Sequence, residues 1–258
     1  MRVAEGVRVT GLDVVGGAVE VSTLDGASVR AARVALGTNA FPSLLARLRL
    51  YTVPVYDYAL MTEPLNDGQL DALGWVSRAG VGDMGNQFHY YRLTADNRIL
   101  WGGYDAIYHY GRRMGPSLDQ RPQTFDTLAE HFFTTFPQLD GLRFTHRWGG
   151  AIDTCTRFCA FYGTALGGRV AYALGYTGLG VGATRFGAQV MLDLLDGRHT
   201  ERTRLDLVRQ TPLPFPPEPL AWAGIELTKW SMARADENGG RRNLWLKALD
   251  AAGLGFDS

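Results

Sequence analysis

The stretch GRVAYALGYTGLGVGATRFGAQVMLDLLDG, residues 168–197, reads as strand, glycine-rich turn and helix in a single run. Arg169–Leu174 is a short apolar segment with Val170, Tyr172 and Leu174 on one face. Gly175, Gly178, Gly180 and Gly182 then permit a tight backbone path that side chains would block. From Ala183 the apolar residues Phe186, Val190, Met191, Leu194 and Leu195 recur at helical spacing, and Gly197 stands where a C-terminal cap belongs. A helix start behind such a turn presents unpaired N–H groups and a partial positive charge. It suits a phosphate or another electron-rich edge. A purely structural turn between core elements is the other reading.

The rest of the chain limits the choice of ligand. It has 258 residues, 26 basic and 26 acidic, enough for one large or two modest domains with a buried core. Zero net charge argues against a general nucleic-acid or acidic-membrane partner. No apolar run approaches the ~20 residues of a membrane span, and MRVAEGVRVTG at the start lacks the apolar centre of a secretory signal. Cys155 and Cys159 alone make neither a disulfide framework nor a four-ligand metal site, so a cytoplasmic protein without a metal is expected.

In chain order, Val7–Val9, Ala18–Thr23 and Ser28–Leu36 read as strands, joined through Gly16-Gly17 and Asp25-Gly26. A short helix is expected over Pro42–Leu50. The middle is antiparallel in character: Val53–Thr62, then Phe88–Leu93 and Arg98–Gly103 about the turn Thr94-Ala95-Asp96-Asn97. Alternation puts Phe88, Tyr90 and Arg92 on one face and His89, Tyr91 and Leu93 on the other. Thr124–Phe136 has helical spacing and stops at Pro137. Arg143–Ile152 and Arg157–Gly163 return to strand. Beyond Gly197, TPLPFPPEP (211–219) reads as an extended connector. Two amphipathic helices follow, near Ala221–Asp236 and Arg241–Ala252. Trp222, Ile225, Trp230, Leu244, Ala248 and Leu249 form the face expected to pack on the body.

The glycine turn is not a complete dinucleotide motif. Gly178-x-Gly180 fits its start, but no second strand with an acidic residue about 20 positions onward follows the helix. P-loop, Gly-x-Ser-x-Gly and His-Glu-x-x-His patterns are absent as well.

Four segments in order carry a resemblance: VALGTNAF (34–41), YYRLTADNRILWGG (90–103), THRWGGAIDTCTRF (145–158) and GRVAYALGYTGLGVGATRFGA (168–188), with EPLAWAG and LDAAGLGFDS behind them. The chain resembles the C-terminal part of FAD-dependent oxidoreductases of the glycine/D-amino-acid oxidase (DAO) superfamily, in the branch similar to gamma-glutamylputrescine oxidases. The resemblance implies an α+β chain, part of a larger α/β protein. It would comprise a discontinuous partial FAD domain, an antiparallel substrate domain and C-terminal helices. Its implied divisions are 1–51 and 149–197 for the FAD segments, 52–148 for the substrate sheet and 198–258 for the connector and helical extension. FAD is the implied cofactor and a small amine or amino acid the implied substrate, oxidised to an imine with peroxide as co-product.

Residue by residue, the resemblance places Val9 near the adenine and Gly37-Thr38 near the ADP portion of FAD. Gly175, Gly178, Leu179, Gly180 and Val181 form the turn facing the flavin pyrimidine edge. Tyr176 would stand beside the ring at the edge of the substrate pocket. Tyr90, Tyr91, Trp101, Trp148 and Asp153 are the candidates to line that pocket, since aromatic faces and a carboxylate hold amines. Core packing and solvated strand faces are their other fates. Arg147 and Arg157 could anchor a carboxylate, and surface ion pairs are the commoner use of arginine. Cys155 and Cys159 are expected to be buried small residues. The βαβ unit with which the family's FAD domain begins, bearing Gly-x-Gly-x-x-Gly and an acidic ribose ligand, is not found at the start of this sequence. The chain is therefore expected to be truncated relative to the family, with no catalytic residue of its own beyond flavin chemistry. A strand edge is expected to lie bare, covered by a partner or prone to aggregation. The alternative is a non-catalytic relative that binds FAD only with a partner chain.

Overall fold

The structure is a computed structural model and describes residues 2–254. Met1 and the last four residues of LDAAGLGFDS lie outside the described residues. In chain order the elements are β1 (Val9–Val15), β2 (Ala18–Thr23), β3 (Ser28–Ala31), β4 (Val34–Leu36) and β5 (Val53–Thr62). Then come α1 (Asp67–Leu73), β6 (Val81–Gly82), β7 (His89–Leu93), β8 (Ile99–Gly103), β9 (Ile107–Tyr108) and α2 (Pro122–Thr135). The remainder is β10 (Phe144–Thr154), β11 (Phe161–Ala165), β12 (Val170–Leu174), α3 (Gly180–Leu195), α4 (Glu201–Arg204), α5 (Asp206–Arg209), α6 (Leu220–Glu237) and α7 (Leu244–Ala251). The chain falls into two compact units, residues 1–53 with 153–216 and residues 54–152 with 217–258.

The first unit holds two small sheets. β1, β2 and β3 form an antiparallel meander, with Gly16 and Gly17 both at positive φ in the first hairpin. The expected strand at Val7–Val9 is in fact β1, which begins at Val9 and continues to Val15. Its Leu12 and Val14 pair opposite Val21 and Val19. The expected single strand Ser28–Leu36 breaks at Ala32-Arg33. Its first part stays with β2, and its second pairs parallel with β12, Leu36 opposite Tyr172. That second sheet runs β11–β12–β4, so β4 has no strand on its far side among the described residues. β12 is buried along its whole length, as a central strand of five apolar residues should be. Over Pro42–Leu50 only a single 3₁₀ turn, Ala46–Leu48, forms. The segment instead inserts Leu45 and Leu48 into the core with Cys155, Phe161, Val170 and Leu174.

The second unit is built on the sheet β10–β5–β8–β7–β6, with β9 pairing on β5. Between Tyr90 and Leu93 the period-2 alternation holds. Tyr91 and Leu93 face a core that includes Trp101, Leu128, Phe132 and Phe136, while Tyr90 points to the other face. α2 supplies the apolar stripe Phe125, Leu128 and Phe132 to that core. Phe132 is its hub, with rings at 5.1–5.7 Å from Phe144, Phe136, Phe133 and Trp101. α1 is closed by a reciprocal capping box between Asn66 and Gln69 and ends on Gly74 in the left-handed region.

The C-terminal helices form, but not with the expected face inward. α6 buries the small residues Ala221, Ser231 and Ala235, while Trp230 is 55% exposed and Leu244 of α7 85%. Polar anchors at both ends of α6 explain this choice. Glu218 accepts from the Tyr108 hydroxyl and the Gly111 and Trp222 N–H groups. Asp236 accepts from the N–H groups of Asn86 and Gln87 and from the Asn86 amide. Those charge-assisted bonds fix the helix rotation, and close approach then requires small side chains on the inner face.

Candidate functional site

Two arrangements concentrate chemically useful groups, one in each unit. In the first, β12 runs out into the glycine turn. Gly175 has φ +75° and stands so close to Cys155 and Phe161 that a Cβ would meet Cys155 Sγ and Cβ at 2.9 Å and Phe161 at 3.0 Å. Thr177 and Gly178 are also left-handed. The turn is tied down by Asp153, a buried carboxylate at the end of β10. Its Oδ2 accepts from Gly175 N–H at 2.5 Å, its carbonyl from Thr177 N–H at 3.1 Å, and the Tyr176 amide also donates to its side chain. Burial pushes the Asp153 carboxyl up, and these backbone donors work against that shift. Asp153 is therefore a clamp on the turn. Cys155 lies beneath it in the core, its thiol pushed up by burial, and Cys159 is half-buried; neither is in a disulfide.

α3 begins at Gly180, three residues earlier than the apolar spacing indicates, because its first turn is exposed and carries no core residue. The Gly180, Val181 and Gly182 N–H groups precede the first helical donor, Ala183, whose N–H bonds the Leu179 carbonyl, and have no partner among the described residues. Leu179 and Val181 project into solvent around them. Tyr176 turns the other way. Its ring packs under α3, with the hydroxyl in the space a Cβ on Gly187 would fill, beside the cluster of Ala160, Tyr162, Ala173 and Val190. Gly37-Thr38 leaves β4 at the same sheet edge as Gly175, because β4 and β12 are parallel and end together. That edge, the carboxyl end of parallel strands, is where such sheets receive ligands. Val9 belongs to the separate meander and is partly exposed at the start of β1.

In the second unit, the face of the sheet opposite α2 holds a cavity of about 230 Å³ lined by residues including Asp57, Tyr90, Trp148, Gly150 and Ile152. Asp57 is central to it and carried no signal in the sequence, where it is one polar residue in the apolar strand VPVYDYALMT. Its Oδ2 accepts from the Tyr90 hydroxyl at 2.7 Å, its Oδ1 from the Tyr58 N–H at 2.8 Å, and the Gly103 amide also donates to it. Burial pushes the carboxyl up against these bonds. The Tyr90 hydroxyl is pushed up too, by burial and then by the neighbouring Asp57 charge.

Tyr90 reaches Asp57 only because it crosses Gly102. That residue lies on β8 opposite both Tyr90 of β7 and Ala59 of β5, and a Cβ there would meet the Tyr90 ring at 2.6–2.9 Å. Of the other candidates, Trp148 lines the cavity and is 39% exposed. Tyr91 and Trp101 lie in the core on the opposite face, where Trp101 stacks on His89 at 4.6 Å and meets Tyr91 at 4.9 Å. Arg147 stands 5.6 Å over the Phe125 ring, and Arg157 donates to the Gln210 carbonyl at 2.7 Å.

A further titratable chain lies in the second unit. Asp83 Oδ2 meets His89 Nδ1 at 2.7 Å, and His89 Nε2 meets His131 Nδ1 at 3.0 Å, with the Tyr104 ring against both imidazoles. Burial, then the neighbouring His89, holds the His131 imidazole below its ordinary range. Two histidines 42 positions apart leave no local pattern to find. Among the described residues no group of His, Cys, Asp and Glu side chains is arranged to hold a metal ion.

The parallel edge, the discontinuous first unit and the antiparallel second unit match a known class of flavoenzyme. Residues 1–194 match the family described as FAD dependent oxidoreductase, DAO, and the chain belongs to that family. The resemblance read from the four sequence segments is thus borne out, as is the α+β class. The chain is 31% identical over 183 residues to gamma-glutamylputrescine oxidoreductase of Escherichia coli, covering 70% of this chain and 38% of that protein. To the probable oxidoreductase OrdL of Haemophilus influenzae it is 26% identical over 188 residues, 70% of this chain and 39% of the relative. It therefore spans about two fifths of the length of these curated relatives. Among solved structures, glycine oxidase from Geobacillus kaustophilus superposes with a TM-score of 0.62 at 16% identity, over 77% of this chain and 50% of that one. L-proline dehydrogenase from P. horikoshii gives 0.63 at 17%, over 79% and 53%. At that identity the likeness is one of fold.

Proposed function

We propose that this chain forms part of an FAD-dependent oxidoreductase that oxidises the C–N bond of an amine or amino acid. The observation that carries the proposal is the unpaired start of α3. The amides of Gly180, Val181 and Gly182, backed by the helix dipole, suit the anionic pyrimidine edge of a reduced flavin. Leu179 and Val181 give the apolar surround that an isoalloxazine ring needs, and the open positions at Gly37 and Gly182 leave room for close backbone approach. The donor set fits that group. When bound, FAD would supply the redox chemistry, as an acceptor for hydride from the carbon alpha to nitrogen that oxygen would reoxidise, giving an imine and hydrogen peroxide.

The chain's own residues position and bind. Asp153 holds the Gly175 turn so that the helix start is fixed before any ligand arrives, which reduces the ordering cost of binding. The first unit is assigned to the flavin and the second, through its sheet-face cavity, to substrate. The pyrophosphate cradle would come from chain outside these 258 residues, as would the strand that covers β4. A partner chain could supply both. The two free cysteines agree with a reducing cytoplasm, and no described helix is long and apolar enough to cross a membrane.

Titration of the purified 258-residue chain with FAD, followed at about 450 nm and by flavin fluorescence, tests the reading. Saturable binding that is weakened by Gly182→Pro, but not by a substitution at Val76 far along the chain, supports it. Flavin bound equally well by both variants refutes the role of α3. Failure of the chain to take up FAD alone, with uptake when the Gly-x-Gly-x-x-Gly half of a relative is added, favours the partner-dependent form.

A further inference from the structure

The cavity on the sheet face of the second unit discriminates between the two substrate classes that the family reading leaves open. Its lining contains one carboxylate, Asp57, and no arginine, lysine or histidine. Every direct partner of Asp57 is a neutral donor: the Tyr90 hydroxyl, the Tyr58 amide and the Gly103 amide. A half-buried carboxylate with three neutral donors retains lone-pair capacity and no counter-charge, and a buried charge in that state is costly. The group that remedies both is a cation with several N–H donors. The Tyr90 oxygen, whose O–H donates a hydrogen bond to Asp57, keeps its lone pairs to accept one of them. Trp148, on the same lining, offers an aromatic surface to a cation or to its alkyl stem. The volume, about 230 Å³, is below the ~300–1,000 Å³ of sites for drug-sized ligands, so the occupant is small.

We infer that Asp57 and Tyr90 form an ammonium subsite and that the chain selects a small alkylamine over an α-amino acid. A substrate carboxylate would meet the Asp57 charge there with no cation to offset it. An ammonium paired with Asp57 is held in its protonated form, whereas the nitrogen that loses hydride from its neighbouring carbon must be neutral. The nitrogen bound here is therefore the non-reacting one, and the substrate class is an amine carrying a second, cationic nitrogen, such as an aliphatic diamine. The inference rests on the proposed function for the identity of the reaction, but ammonium binding is a property of this chain alone.

The test uses the full 258-residue chain without flavin. Isothermal titration calorimetry with 1,4-diaminobutane, n-butylamine and butyrate separates charge from shape. Both amines bind and butyrate does not. Asp57→Asn, checked for its fold by circular dichroism, weakens amine binding at least tenfold, as expected for loss of a charged hydrogen-bond acceptor (about tenfold or more). Should Asp57→Asn fail to fold, Tyr90→Phe keeps the ring and removes the hydroxyl, and weakens amine binding about fivefold. Butyrate bound as tightly as butylamine, amines bound equally by wild type and both variants, or no amine binding by the folded chain would each overturn the inference. FAD titration of the same samples separates the two readings. Flavin uptake without amine binding sinks the ammonium subsite alone, and amine binding without flavin uptake leaves it standing.

Discussion

Gly175 combines a left-handed backbone with a crowded Cβ position, and the structure lets the cost of a single methyl group there be divided. At φ +75° an alanine pays the left-handed penalty of about 1–2 kcal/mol, offset by about 0.4–1 kcal/mol from a stiffer unfolded chain. The new Cβ would also meet Cys155 and Phe161 at 2.9–3.0 Å, and forcing an extra methyl into a packed core costs about 1–3 kcal/mol more. Gly175→Ala should therefore destabilise the first unit by about 2–4 kcal/mol. Two controls separate the contributions. Gly197 has φ +65° and open space around it, so Gly197→Ala carries the backbone penalty alone, about 0.5–1 kcal/mol. Gly182 stands in the exposed first turn of α3 with negative φ and nothing near its Cβ position, so Gly182→Ala should stabilise by up to about 1 kcal/mol. All six tryptophans lie in the second unit, at positions 75, 101, 148, 222, 230 and 245, and fluorescence does not report on this change. Hydrogen exchange of the β12 amides, Val170–Leu174, through a urea series is the fitting assay. A Gly175→Ala variant that costs no more than Gly197→Ala would falsify the steric argument.

Phe132→Ala removes a fully buried ring from the centre of the second core and should cost about 3–5 kcal/mol, read by tryptophan fluorescence because Trp101 packs edge-on against it. His131 resists protonation in the fold, so the unfolded chain binds more protons as pH falls below about 6.5. Stability of the second unit should decline from there downward, and His131→Gln should flatten that part of the curve. Asp193 acts in the same sense at lower pH: the Thr200 hydroxyl and then Arg202 hold its carboxyl low, so the unfolded chain again binds more protons in acid. Its contribution is full above about pH 5 and is lost as pH falls through its folded value. Wild type and Asp193→Asn should thus converge in acid urea melts. Gly102→Ala should displace the Tyr90 ring and weaken butylamine binding to about the extent of Tyr90→Phe; unchanged affinity would mean that Tyr90 does not need the crossing over β8.

The local code of the chain reaches a long way. Apolar alternation over His89–Leu93, the stripe Phe125–Leu128–Phe132 and the glycines after Leu174 determine strand, helix and turn through short-range sterics and periodicity, and each is found where the spacing indicates. The sequence also places the glycine turn ahead of α3, because glycine spacing and backbone geometry are tied within a few residues, although the helix itself begins three residues earlier than the apolar spacing indicates. What it does not contain is which faces meet. Ser28–Leu36 divides between two sheets because β12, more than 130 positions away, offers the better partner for its second part. α6 turns its tryptophans outward because Glu218 and Asp236 find backbone donors on other elements. Trp101 lies in the core and Asp57 lines the cavity for the same reason: sheet register decides which residues share a face across strands. Tyr90 meets Asp57 only over a glycine of the strand between them, a relation among three distant residues that exists only once the sheet has formed.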